Sequence, residues 1–534
     1  MSFAQEQWER DGEIEDVEIE IVRERQIVLP KANRNFEKIS PRPSEPIKPA
    51  IVYEFKNLNF SVPDYRSQIR PLRLKQEDIP KIYGNFVSAG FGNYSSPYLN
   101  AWLNTKRDKS RYLGVHMYHR SFGKGPVDGK NSASGNTEIG IFGKSFNNSV
   151  TTGGSLNYEN NTGHFYGYSP GLETKRDSIK QSYDRFSLSG EVSNTRTADF
   201  NYKLSGYFNY LTDHYKAAES DLGLSFVSDY KLNEKTLLKI DASYAIISRK
   251  DSLVEATPRN LLKVAPLIQF NPLDKLTIAA GARVVLENDS IRSKSFHIYP
   301  MVQADYTLSD KINAYASLRG DMEKVSLHTT SAENFWVNSN VGLFHTNKSL
   351  EFLAGIRGTV GKQLSFDIGV SASNLKDFYF YQNSTLDRAK FDLVYDLGNT
   401  QRVNFYGELG LNKNEVVRFN VRGDYFTYAT DQLAEAWHRP TYRFSFNSAF
   451  NIYEKVLINV GMVGQGGMKA FNNETSMVEE LKGAFDLNAQ ATYRVSRQVS
   501  VFLKFENMLS NGYPVYLYYP VRGFQVLGGA SVSF

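Results

Sequence analysis

Cysteine is absent from all 534 residues, so no disulfide framework and no thiolate metal site is available. Long apolar runs are missing as well. No stretch reaches the roughly 18 consecutive apolar residues that a membrane-spanning helix needs, and the chain is polar on average. Blocks of like charge are scarce: the net charge is +5, and no cluster of Lys or Arg gives a nucleic-acid footprint, so nucleic acid is not expected as a partner. Histidine is sparse and scattered. His116 and His119 lie three apart, which on a strand puts them on opposite faces, where they cannot chelate together. No nucleophile motif and no phosphate-binding glycine loop occurs. These absences argue against an enzyme, and neither catalytic residues, metal nor cofactor are expected.

What is abundant is aromatic residues, 13% of the chain with Phe 35 and Tyr 33, together with a recurring two-residue period. Along the last twelve residues Phe524, Val526, Ala530, Val532 and Phe534 alternate with Gln525, Ser531 and Ser533. Val499, Val501, Leu503 and Phe505 alternate with Ser500, Lys504 and Glu506. Phe485, Leu487, Ala489, Ala491 and Tyr493 oppose Asp486, Asn488, Gln490, Thr492 and Arg494. A strand has period two, so each stretch has one apolar and one polar face. In a soluble sandwich the apolar face is the inside; in a transmembrane barrel it faces lipid. Charges in mid-strand decide between them. Arg418, Arg422 and Asp424 alternate with Val417, Phe419, Val421 and Tyr425, and Arg443 falls between Tyr442 and Phe444. Such charges are costly in a sandwich core or against lipid, but not in a wet lumen. The sequence therefore predicts an all-β transmembrane antiparallel barrel.

Residues 1–83 stand apart. They hold the alternating acidic stretch Glu13–Val22 and prolines 41, 43, 46 and 49, and lack the apolar content for a core of their own. They are expected to be an extended, partly disordered periplasmic segment, with the opening Met1–Gln5 as the tail of an export signal. From Gly84 onward strands run to the end. Short connections near 147–148, 232–234, 271–273, 309–310, 412–414 and 496 alternate with long ones near 123–134, 170–182, 249–261, 322–335, 467–482 and 508–522. Short periplasmic turns and longer outer loops give this alternation. The count is about 22 strands, range 20–24, with 84–534 as the barrel and both termini periplasmic.

Three stretches carry a family resemblance: Leu364–Phe380 with its Asn-x-x-Lys-Asp turn, Tyr395–Leu409, and Glu506–Leu509 followed by Tyr519–Phe524 and the final strand. They resemble the barrel of TonB-dependent outer-membrane receptors in the style found in Bacteroidota. The resemblance implies a Gram-negative outer-membrane location, contact with outer-membrane lipid, and a C-terminal strand (Phe524, Val526, Val532, Phe534) that closes the barrel. It also implies a globular plug of well over a hundred residues before the barrel, which the segment 1–83 does not supply. A barrel this wide normally holds a filled lumen, so inward loops, residues 1–83 or a partner must fill it.

Candidate sites follow. Arg418, Arg422, Asp424, Arg443, Asp486, Arg494, Lys504 and Glu506 are lumen-facing charges, either a ladder that biases solute passage or a salt-bridge lattice that stiffens the wall. Glu13, Val17, Ile19 and Ile21 suit an extended strand added to a partner's sheet, against the plainer reading of a solvated acidic tail. Tyr513, Tyr516, Tyr518 and Tyr519 form either a surface recognition loop or, preferred, a self-packed loop with tyrosines at the membrane interface. Loop 467–482, with Met468, Phe471, Met477, Val478 and Leu481, is an inward constriction or a partner contact. The function expected is passage of a solute through a polar, loop-narrowed lumen. The alternative is a non-conducting subunit of an outer-membrane secretion or barrel-assembly complex, with protein partners in the outer membrane or periplasm.

Overall fold

The computed structural model describes residues 83–105, 108–251, 257–289, 295–413 and 416–534. The candidate partner residues Glu13, Val17, Ile19 and Ile21 lie outside the described residues.

Twenty-two antiparallel strands form one sheet that closes on itself, as the alternation predicts. Each strand pairs with its neighbours in sequence. The first, Phe86–Gly92, also pairs with the last, Gln525–Ser533, in a register that sets Phe86 opposite Ser533 and Gly92 opposite Leu527. Closure leaves no free edge, so backbone N–H and C=O groups along the sheet find partners within it. No helix among the described residues is long and apolar enough to cross a membrane.

Pairing fixes the faces. Val532, Ala530 and Gly528 oppose Val87, Ala89 and Phe91 on one side and Val499, Val501 and Leu503 on the other, forming an apolar row. Phe91 is 63% and Phe534 52% exposed on this outer face. The inner face is identified by chords across the concave side. Tyr98 and Phe502 lie on strands separated by the two seam strands, yet their rings meet edge to face at 6.0 Å. They lean over Gly90 and Gly529, which have no side chains to obstruct them. Arg120 likewise reaches Glu506 at 2.6 Å across the same seam.

The connections sort by end. Residues 147–149, 234–235, 274–275, 310–311 and 453–455 are tight turns at one end, where Asn85 and Phe534 also exchange backbone hydrogen bonds at 3.1 Å. At the other end lie 123–133, 165–179, 324–345, 430–441, 467–483 and 507–524, with 93–95 and 214–217 as short exceptions. Val150–His164 and Phe391–Lys413 are each a single strand. Leu364–Asn383 and Phe391–Lys413, at 20 and 23 residues, far exceed the roughly 10 that cross a bilayer. Their surplus rises at the loop end, where Leu375, Phe378, Phe380 and Tyr381 are buried against loops.

A β-carbon at Gly529 would stand 2.4 Å from the Ala89 carbonyl oxygen and 2.5 Å from a Phe502 ring atom, whereas one at Gly407 meets nothing within 4 Å. Gly529→Val is therefore expected to disrupt the seam and Gly407→Val to be tolerated. The check is heat-modifiable mobility in semi-native electrophoresis, in which only the closed barrel migrates fast.

Candidate functional site

At the loop end the long connections turn inward and pack on one another across the mouth. The segment 324–345 is central. Its short helix Leu327–Glu333 begins with a capping box in which Ser326 and Thr329 satisfy one another's backbone N–H groups. Two further N–H groups of the first turn, Leu327 and His328, donate to the buried Glu219 carboxylate at 2.7 and 2.9 Å. A wall residue thus takes up donors that a helix start leaves unpaired.

Successive strands hold the same segment. Lys324 pairs with Asp221, Arg185 donates to Ser331 Oγ at 3.1 Å, and Ser339 donates to Asp213. Arg249 donates to the carbonyls of Ser339 and Val341, and Arg259 to that of Leu343 at 3.2 Å. Trp336 Nε1 donates to His164 O at 3.1 Å, on the strand next to that of Arg185, and on the far side Phe391 N–H donates to Trp336 O at 3.0 Å. One loop is thereby tied to strands from both sides of the lumen. Its apolar side forms a core with Tyr183, Leu211, Tyr381, Phe391 and Tyr519.

Neighbouring loops lock onto this segment through Glu333. Its carboxylate pairs with Arg439 from loop 430–441 and accepts from Tyr379 and Tyr381 hydroxyls at 2.7 and 3.0 Å. Its carbonyl accepts from Tyr516 of loop 507–524 at 3.1 Å. Burial alone would raise the Glu333 pKa, but Arg439 and the two tyrosine hydroxyls hold it below the usual carboxylate value. Arg439 lies against the rings of Phe378, Tyr379, Phe380 and Tyr381 at 5.0 to 5.9 Å, a cation wrapped by aromatic faces.

His438 joins three elements. Its Nε2 accepts from Leu517 N–H at 3.3 Å, so Nδ1 carries the proton and donates to Tyr381 O at 2.7 Å. Its own N–H donates to Lys469 O at 2.8 Å. These bonds hold a non-glycine residue at φ 56°. Burial, with Arg439 adding to it, pushes its pKa down to about 4.

The sequence candidates divide as follows. Loop 507–524 is self-packed, but its tyrosines point into the mouth: Tyr519 is fully buried, stacks 4.0 Å from Trp336 and donates to Ala389 O. Loop 467–483 does two things at once. Met468, Ala470 and Leu481 are buried with Leu517, while Met477 and Val478 stand exposed near the tip of the Lys469–Asn472/Met477–Glu480 hairpin. Among the wall charges, register puts Arg418, Arg422, Asp424, Arg443, Asp486, Arg494, Lys504 and Glu506 on the polar face of four strands within a run of five. Arg422 bonds Asp424 at 2.9 Å and Glu408 at 3.2 Å, and Lys504 bonds Glu506 at 2.7 Å. Arg418, Arg443 and Arg494 have no ion pair among the described residues. His116 stacks on Trp102 at 3.9 Å and His119 bonds Thr137 at 2.8 Å, so the two do not converge. Among the described residues no cluster of His, Asp and Glu is arranged to hold a metal.

Sequence reasoning missed Glu219, Glu333, Trp336, His438 and Arg439. A weak signal existed in Ser326-x-x-Thr329 and in three aromatic or cationic residues, Trp437-His438-Arg439, within one loop.

A closed barrel of 22 strands whose loops cover one mouth defines the structural class. No protein-family model matches the chain, and no curated protein does. Among solved structures it is similar to the FrpB iron transporter of Neisseria meningitidis, with a TM-score of 0.66 at 12% identity over 85% of this chain and 82% of that one. It is also similar to the siderophore receptor PirA of Acinetobacter baumannii (TM-score 0.63, 10% identity, 84% and 80% covered). A third likeness is to FpvA of P. aeruginosa bound to heterologous pyoverdines (TM-score 0.63, 11% identity, 85% and 72% covered). At these identities the likeness is one of fold. These neighbours are transporters and receptors, not enzymes.

Two outcomes test the cap. Trp336→Ala removes a large ring from a packed site and should cost about 3–5 kcal/mol of local stability, read as lost hydrogen-exchange protection at the Phe391 and Asn338 amides. Because the folded His438 pKa lies below its unfolded value of about 6.5, its contribution is present above that pH and fades as pH falls towards about 4. Protection of the Leu517 amide should fall across that window, and His438→Phe should abolish this part of the dependence.

Proposed function

We propose that the protein is a TonB-dependent-receptor-type barrel of the Gram-negative outer membrane, which admits a solute through a polar lumen that its own loops close at rest. The observation that carries the reading is the loop layer joined at Glu333, Arg439 and His438, set above an inner wall of charged and amide side chains. Besides its apolar core, the covering is held by hydrogen bonds and ion pairs, and at those polar ties it can part when a ligand offers replacements, because polar ties exchange partners more readily than apolar packing. The apolar outer rows face lipid, the tight-turn end with Asn85 and Phe534 faces the periplasm, and the unpaired Arg418, Arg443 and Arg494 bias the lumen towards anions.

The second reading is a non-conducting subunit of an outer-membrane secretion or assembly complex. The tying of segment 324–345 to the wall strands of Glu219, Arg185 and Arg259 and, across the lumen, to that of Phe391 and Tyr395 favours it, since that many bonds suit a permanent seal.

Planar-bilayer conductance separates the two. The wild type should be nearly silent with rare openings, and Arg439→Gln, which breaks the Glu333 pair, should raise open probability about tenfold or more, as loss of 1.4 kcal/mol of closure predicts. A variant that folds and stays silent sinks the transport reading and leaves the subunit.

A further inference from the structure

Where the cap meets the inner wall lies a cavity of about 470 Å³, within the range of small-molecule sites. Arg120, Asn161, Thr162 and Asp486 line it from within their strands, and Trp336, Tyr513 and Arg522 close it from the loops. Two guanidinium groups share one ring here. Arg522 lies 3.8 Å and Arg120 4.8 Å from the centroid of Phe122. Arg120 is neutralised by Glu506, through nitrogen–oxygen contacts of 2.8 and 2.6 Å, and Lys504 holds the same carboxylate at 2.7 Å. Asp486 is occupied by the Tyr513 hydroxyl at 3.0 Å. Arg522 donates only to Ser134 Oγ, at 2.8 Å, and has no carboxylate within ion-pair distance among the described residues. The charged lining is Arg120 and Arg522 with Glu506 and Asp486; Glu506 is shared between Arg120 and Lys504, which stands outside the lining, and Asp486 is taken by Tyr513, so neither carboxylate is left for Arg522. Burial, with the Arg120 charge adding to it, lowers the Arg522 pKa from its ordinary value, which marks a cation held without its counter-charge.

A guanidinium presents parallel donors that match the oxygens of a carboxylate or phosphate, and a half-buried one gains more from such a partner than an exposed one. Phe122 and Trp336 supply apolar faces beside it. We infer that this cavity binds a small organic oxyanion, a carboxylate or phosphate monoester, whose head pairs with Arg522 and whose ring or apolar body lies against Phe122 and Trp336. The inference rests on reading the lumen as a solute path, and gives that solute a charge and a size.

The test is calorimetric titration of the full-length barrel in detergent with four probes: benzoate, phenyl phosphate, benzamide and inorganic phosphate. Benzoate or phenyl phosphate should bind saturably, the tighter of the two identifying the head group, with neutral benzamide and ring-free phosphate at least about tenfold weaker. Arg522→Gln should weaken the bound probe by about 10- to 100-fold, the scale of a hydrogen bond to a charged group, with Arg522→Lys intermediate. Lys311→Gln, in a tight turn at the opposite end of the barrel, should leave binding unchanged. Heat-modifiable mobility confirms that each variant is folded. Equal binding by wild type and Arg522→Gln overturns the site, as does equal binding of benzamide or the absence of saturable binding by either aromatic anion. Binding and conductance fail separately: a barrel that binds benzoate but never conducts loses the transport reading, and one that conducts without binding loses this site.

Discussion

Backbone pairing around a closed sheet governs the molecule. Each N–H or C=O left unpaired against lipid costs several kcal/mol, so a sheet that crosses a bilayer must have no edge. Here the requirement falls on the seam between Phe86–Gly92 and Gln525–Ser533, the one pairing that joins strands from opposite ends of the chain. Two glycines, Gly90 and Gly529, let Tyr98 and Phe502 lie over it from inside. The inner face, the outer face and the position of every loop follow from that closure, because a strand's period of two leaves no other choice once register is set.

Closing so many strands creates a second problem, a lumen wide enough to leak. The loops answer it at one end. They do so with a mixture of aromatic packing around Tyr519 and Trp336 and polar ties at Glu219, Glu333, His438 and Arg439. The aromatic part gives the layer cohesion. The polar part gives it direction, since each carboxylate or carbonyl accepts from particular donors, and it leaves the layer open to competition by a ligand that brings its own.

Much of the barrel was legible in the sequence. The alternation of Phe524, Val526, Val532 and Phe534 and the sorting of connections by length both follow from local rules. Local rules suffice because every strand pairs with its sequence neighbour, so the fold is a list of hairpins plus one seam. The cap was far less legible. Tyr513 to Tyr519 read as interface tyrosines because nothing local says whether a loop turns in or out, and the hairpin at 467–483 proved to bury Met468 while exposing Met477. Glu333 gave no signal at all, since its partners Arg439, Tyr379 and Tyr516 come from three distant segments.

The sequence by itself determined the class of fold, the number of strands to within two, the two faces and the end at which long loops gather, because periodicity and turn length are properties of neighbouring residues. Only the tertiary structure decided what the loops do. It brought Glu333 to Arg439, His438 to Leu517, and the unpaired Arg522 to the ring of Phe122. The physical reason is that a closed wall carries loops from far-apart positions to one common centre, where side chains meet that no spacing along the chain relates.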